Sequence, residues 1–368
     1  MRGTIRGALL PWVVVVAFAA PAVAAPSAPR DTATSALERA AFIALPAVYE
    51  VRGDLQIDAV VAGRRRIPVD RTVPFRGTAF GVAPGRVVTA LHLLRPPTQT
   101  LLDELRTRGV QNLPDSPATT RVLTQPVTTV TLTRARSASE CLEGAPTEIA
   151  ADVVTATDTN GDLVLLAIDD LAAPTLALDD GLTAQTPVAV VGFGDQQGAT
   201  PVIRRGTVTA AAAIGQDDRF ATLDVAIVRG DSGGPVVDIA GRSRGVVLRR
   251  ATDEVAPVMA QAKSVRELLA RDDLVAVPSL TTTRFREAMA AFWARDYRTA
   301  QQRLSALTGA YTDTALIECE HDRATALAAT AYAISGPSPT RRAILALGAM
   351  ATLAAGILGI LRVRRHAD

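Results

Sequence analysis

The stretch VRGDSGGPVVD, Val228–Asp238, sets a serine among glycines beside an aspartate and then runs into valines that read as a strand. Acyl transfer by a serine needs its oxygen held clear of the backbone and N–H donors aimed where the oxyanion forms. Gly230, two residues before Ser232, lets the chain turn with no side chain in the way, so its N–H and that of Ser232 can point into one concavity. Alone the segment reads equally as a glycine-rich turn, and Arg229-Gly230-Asp231 reads as incidental rather than as an adhesion signal. The fold therefore turns on whether the rest of the chain answers Ser232 with a base.

The chain has three histidines. His366 falls in the extreme C-terminal tail and His321 in a helical segment, which leaves His92, just past a predicted strand, as the base. Such a base needs a carboxylate to fix its tautomer. Asp158 and Asp162 in DTNGDLVLLAI are the candidates. Asp162 directly precedes the apolar run 163–168 and is the expected partner, buried at the start of a strand, whereas Asp158 reads as a turn residue.

Around these positions short β-branched runs at 48–57, 87–89, 127–132, 163–168, 188–191, 207–208, 236–237 and 246–247 are bounded by Gly, Pro and Asp, the spacing of an all-β sandwich or barrel. Helical periodicity appears at 98–108 and then not until Val265. From Thr283 onward Phe285, Met289, Phe292 and Trp293 share one helical face, Tyr297, Ala300, Leu304 and Leu307 the next, and a third helix follows at 314–333. Residues 281–336 are thus expected as a small helical bundle, weakly like one tetratricopeptide unit. VVGFGDQQG approximates a dinucleotide-binding glycine pattern, but a second β run follows it, so no NAD site is expected.

Taken together, Gly77-Thr78-Ala79-Phe80 with Val88-Thr89-Ala90-Leu91-His92, Asp162-Leu163, Val191-Gly192-Phe193-Gly194, Gly206-Thr207-Val208 and Asp224–Pro235 resemble the trypsin-like serine proteases of the chymotrypsin fold. Within that fold the resemblance is to the bacterial Deg-type envelope proteases, and it covers roughly 45–275. It implies two β-barrels meeting at a cleft, with a catalytic triad of His92, Asp162 and Ser232 and an oxyanion hole from the N–H groups of Gly230 and Ser232. It also implies a primary specificity pocket at Ala226, Ile227, Val246 and Val247, which holds no carboxylate and so suits small or medium aliphatic residues. No metal or organic cofactor is implied. No PDZ segment follows the protease region; the helical bundle stands in its place. The added segment 96–125 reads either as a lid or as surface decoration, and decoration is expected. A catalytically silent protease-fold scaffold that binds envelope proteins is the competing reading.

The net charge of +2, with scattered arginines and a single lysine, Lys263, gives no nucleic-acid surface. Arg2 and Arg6, the apolar run 8–20 and Ala22-Val23-Ala24 describe a secretory signal peptide over 1–24. A linker at 25–44 follows it. Residues 343–361 carry no charge, and a helix of that length rises about 28 Å against a hydrocarbon core of ~30 Å, so a transmembrane helix is expected there, with 362–368 as a cytoplasmic tail. The expected topology is a single-pass cell-membrane protein with its protease region outside, acting on protein or peptide substrates of the envelope and offering its helical segment for partner docking. Cys141 and Cys319 fall in different segments and are expected as unpaired thiols.

Overall fold

A computed structural model describes residues 36–135, 147–194, 200–212, 218–248, 257–308 and 315–334. The expected signal peptide and transmembrane segment lie outside these residues. No helix among the described residues is long and apolar enough to cross a membrane.

Two antiparallel barrels form the body. The first closes through β1 (Val48–Ala62), β2 (Arg65–Ala83), β3 (Arg86–Ala90), β5 (Thr129–Arg134), β6 (Glu148–Asp158) and β7 (Leu163–Ala167), with β4 (Thr120–Thr124) added outside β1. The second is β8 (Pro187–Gly192), β9 (Val202–Ala210), β10 (Phe220–Asp224), β11 (Pro235–Val237), β12 (Ser243–Leu248) and β13 (Val258–Gln261), in the order β10-β13-β12-β11-β8-β9. Each strand expected from sequence overlaps one of these, although the runs 127–132 and 163–168 reach beyond β5 and β7. Strand β9 follows the glycine pattern after β8, so the strand–turn–helix context of a dinucleotide site is missing.

The β1–β2 hairpin is much longer than its barrel needs. Its strands run 15 and 19 residues, against a usual five or six, and turn at Gly63, whose φ of 56° favours glycine. The inner half of β1 pairs with β5, Tyr49 opposite Arg134, whereas beyond the register shift at Ile57/Ala59 its outer half pairs with β4. Helix α3 (Thr98–Thr107) closes this outgrowth, and Leu55, Ile57, Val60, Val73, Leu101, Leu102 and Leu105 form a core of their own. The segment 96–125 is therefore no loose decoration: its leucines at helical spacing had an apolar hairpin face to cover.

Residues 36–44, expected as linker, form helix α1 (Ala36–Ala44), whose Ala40, Ala41, Ile43 and Ala44 are buried. The helices after the barrels, α4 (Ala262–Ala270), α5 (Leu280–Trp293), α6 (Tyr297–Thr308) and α7 (Ala315–Ile334), pack into the same core. The Phe42 ring on α1 lies 6.1 Å from Phe285 and 6.2 Å from Trp293 on α5, so the expected bundle is docked on the body. Ser279 caps α5, accepting from the Thr282 N–H, and its own Oγ accepts from the Thr175 N–H between the barrels. Cys319 on α7 is disulfide-bonded, which corrects the expectation of unpaired thiols; Cys141 lies outside the described residues.

Candidate active site

Strand β3 ends at Ala90, still extended, and the chain turns at once into the single helical turn α2 (Leu91–Leu94). That change of direction carries His92 off the sheet. Across from it, the turn after β6 reverses at Asp162, whose φ of 56° lies in the left-handed region that aspartate tolerates better than most residues. The turn is fixed by three bonds to α2. Asp162 O accepts from the Leu91 N–H at 2.9 Å, Oδ1 from the His92 N–H at 2.8 Å, and Oδ2 lies 2.6 Å from His92 Nδ1. A carboxylate can only accept, so Nδ1 carries the hydrogen and Nε2 is left as the basic nitrogen.

Asp162 was expected to be buried and Asp158 to sit on a turn. The burial is the reverse. Asp158 is 5% exposed, accepts from the Asn160 N–H and lies 3.7 Å from Arg271, while the Asp162 side chain keeps 31% exposure because it faces the cleft. Asp162 is the one that contacts His92, although Asp158 is the more buried.

Ser232 lies on the loop between β10 and β11, in the second barrel. Gly230 and Gly233 have φ of 96° and 87°, and neither tolerates a side chain. A Cβ at Gly230 would come 2.1 Å from Gly194 O, and one at Gly233 would come 2.0 Å from Thr78 O. The intervening Asp231 is wholly buried, with Oδ1 2.9 Å from Arg204 on β9 and accepting from the Gly194 N–H, and Oδ2 accepting from the Val228 N–H. Among the described residues the N–H groups of Gly230 and Ser232 donate to no protein acceptor.

One residue of the first barrel holds this loop. Thr78 on β2 is fully buried; its N–H donates to Ser232 O at 2.8 Å and its hydroxyl to Gly230 O at 2.7 Å. The same hydroxyl accepts from the Phe193 N–H at 3.1 Å, and Thr78 O accepts from Thr89 Oγ1 at 2.6 Å. Sequence reasoning gave Thr78 no role, and a buried threonine in a β run carries no signal of a contact 152 positions away. Arg204 was missed for the same reason.

His92, Asp162, Gly230 and Ser232 line one cleft of about 1210 Å³ between the barrels. Among the described contacts no hydrogen bond joins the Ser232 hydroxyl to His92. The four expected pocket residues do not line this cleft. Ala226 is exposed and Ile227 half-buried, whereas Val246 and Val247 are wholly buried on β12. Among the described residues no group of His, Cys, Asp and Glu could hold a metal ion.

Residues 77–246 match the family model of the trypsin-like peptidase domain. This part of the chain is similar to that family. The peptidase domain makes the protein a serine endopeptidase, a hydrolase. Its solved structural neighbours include the Rv3671c protease from M. tuberculosis in its active form, 21% identical over 65% of this chain and 85% of that one, with a TM-score of 0.41. They also include the HtrA-type protease AlgW with a decapeptide, 19% identical over 64% of this chain and 67% of that one, at 0.42. A serine endoprotease from Yersinia pestis is 19% identical over 66% and 68%, at 0.39. No curated protein matches the chain in sequence.

Proposed function

We propose that the peptidase domain cleaves peptide bonds through His92, Asp162 and Ser232. The observation that carries this reading is the 2.6 Å contact between His92 Nδ1 and Asp162 Oδ2, with Ser232 and the undonated Gly230 N–H in the same cleft. Ser232 Oγ attacks the carbonyl carbon while His92 Nε2 takes its proton, and Asp162 stabilises the imidazolium. The N–H groups of Gly230 and Ser232 bind the oxyanion. His92 then returns the proton to the departing amine, and water repeats the sequence on the acyl-enzyme. The bond between Ser232 and His92 closes when substrate fills the cleft, as catalytic hydrogen bonds in empty sites commonly do.

Neither Ala226 nor Ile227 supplies a carboxylate to pair with an Arg or Lys side chain, so cleavage follows small or medium aliphatic residues. The charge-free run 343–361 anchors the protease to the cell membrane with its active site outside, near envelope substrates. The test of the chemistry is labelling of the full chain by a serine-directed fluorophosphonate. Wild type should take the label at Ser232 and Ser232→Ala should not; labelling of another serine would overturn the assignment. For the topology, external protease on spheroplasts should digest the peptidase domain but spare a tag placed after Asp368, and loss of the tag would refute the anchor's orientation.

A further inference from the structure

The cleft does not stop at the reacting groups. Besides His92 and Ser232 it is lined by Leu93, Arg76, Phe75, Pro97, Thr100 and Leu101, so the α3 outgrowth of the first barrel contributes a wall to it. The side of the scissile bond it serves follows from the chemistry. The imidazole protonates the departing amine, so the leaving chain lies against the His92 side, where Leu93 is the next residue along. The residues expected to receive the acyl side, Ala226 and Ile227 among them, are absent from this wall.

We propose that the outgrowth is a leaving-group subsite for a large apolar side chain. On this account, which rests on the triad reading above, preferred substrates carry Phe, Leu, Met or Tyr in the first or second position after the cleaved bond.

Three observations support it. The wall carries apolar surface: Val73, Phe75, Leu93, Pro97 and Leu101 contribute to it. The Phe75 ring is half-buried and packs against both the barrel core and the outgrowth core, and it lies so close over Gly53 that a Cβ there would meet Cζ at 2.4 Å. It is therefore a fixed surface, not a mobile flap. Second, three of the arginines lining the wall, Arg52, Arg76 and Arg108, are already paired. Arg52 lies 2.6 Å from the wholly buried Glu50, which also binds Arg76, and Arg108 Nε donates to Glu104 at 2.7 Å. Paired in this way these arginines give an incoming acidic residue little net attraction, and apolar area is what remains to select against it. Third, α3 divides its faces. Leu102 and Leu105 are wholly buried in the outgrowth core, while Thr100, Glu104 and Arg108, four residues apart, turn to the cleft. A helix needed only to cap the hairpin would have no reason to line the cavity that holds the nucleophile.

The test uses the full chain and internally quenched peptides with one fixed acyl side, varied at the two positions after the cleaved bond. Wild type should cleave the Phe or Leu peptides with kcat/KM at least about tenfold above the Gly, Asp and Lys peptides. Thr100→Trp fills the subsite and Phe75→Ala removes its floor; each should bring that ratio towards one. Because the ratio is taken within a single preparation, partial loss of folded protein does not alter it. Gln99→Ala, on the exposed face of α3, should keep the wild-type ratio. A wild-type ratio within about twofold of one, or an unchanged ratio in both Thr100→Trp and Phe75→Ala, overturns the subsite. Fluorophosphonate labelling of the same preparations separates the two levels: labelled protein with a flat profile refutes the subsite alone, and wild type that does not label refutes the triad together with it.

Discussion

The first barrel carries strands of 15 and 19 residues, whereas the longest strand of the second runs nine and β11 only three. The extra length of the first lies outside the barrel, in a hairpin with its own apolar core, and the histidine side of the cleft rests on that platform. The second barrel offers a serine on a loop with two glycines at positive φ, and part of what holds that loop comes from Thr78 across the cleft. The platform behind one half of the site is thus held by packing, and the loop of the other half by a few directed hydrogen bonds. The halves should fail in different ways.

The largest effects sharpen the part they share. Ser232→Ala and His92→Ala should each lower kcat by about six orders of magnitude, because nucleophile and base act as one unit. Both are read by peptide hydrolysis with burst kinetics, and a loss under a hundredfold in either would break the reading. Asp162→Asn should lower kcat by about four orders of magnitude at neutral pH, since the amide cannot accept both bonds from His92 and favours the wrong tautomer. Asn tolerates the left-handed backbone, so the turn should survive. Asp158→Asn, aimed at the carboxylate that is buried but faces Arg271, should change kcat less than about threefold. A reversed ranking of the two would transfer the orienting role to Asp158.

The comparison also bears on how much could be seen in the chain itself. His92, Asp162 and Ser232 could be picked out as candidates because chemistry restricts them to a few residue types and each sits at the edge of an apolar run. The β-branched runs placed the strands for the same reason. What was not legible depends on distance in space. Nothing near Thr78 or Arg204 announces a partner across the cleft, and the periodicity of α3 showed a helix without showing what its second face would meet. The exposure of Asp162 was misjudged because a position before an apolar run can face either the core or a cleft. Helix α1 was hidden by its small residues, which read as linker until Phe42 finds Phe285 and Trp293.

A smaller effect should come from the hydrogen bonds of the serine half. Thr78→Val keeps the shape of the side chain but removes the donor to Gly230 O and the acceptor for the Phe193 N–H, leaving both groups buried without a partner. The loop should shift by a fraction of an ångström and kcat should fall about tenfold to a hundredfold, with KM nearly unchanged. Thr78→Ser should restore most of the rate. If Thr78→Ser were as impaired as Thr78→Val, the hydroxyl would not be what holds the loop.

The smallest effect concerns pH and the hairpin of the second barrel. The β11–β12 turn is braced by charge where the β1–β2 hairpin is braced by apolar packing. Asp238, its side chain 3% exposed, accepts from the Ala240 and Arg242 N–H groups, and its Oδ2 lies 2.7 Å from Arg244 NH2. Burial pushes its carboxyl up, but the Arg242 N–H, the Arg244 guanidinium and the Ala240 N–H together outweigh burial and hold it below the ordinary 3.8. A carboxylate depressed in the folded state stabilises it fully above the unfolded pKa, near 4, and loses that contribution as pH falls from there through the folded pKa. Asp238→Asn should therefore cost about 2 kcal/mol at pH 7, and the gap to wild type in urea unfolding should narrow on acidification below about pH 4. Hydrogen exchange should show the amides of 235–248 losing protection on that descent before those of the α3 outgrowth, which carries no such charge brace in its core. Equal loss in both hairpins, or a gap independent of pH, would show that the two barrels do not differ in this way.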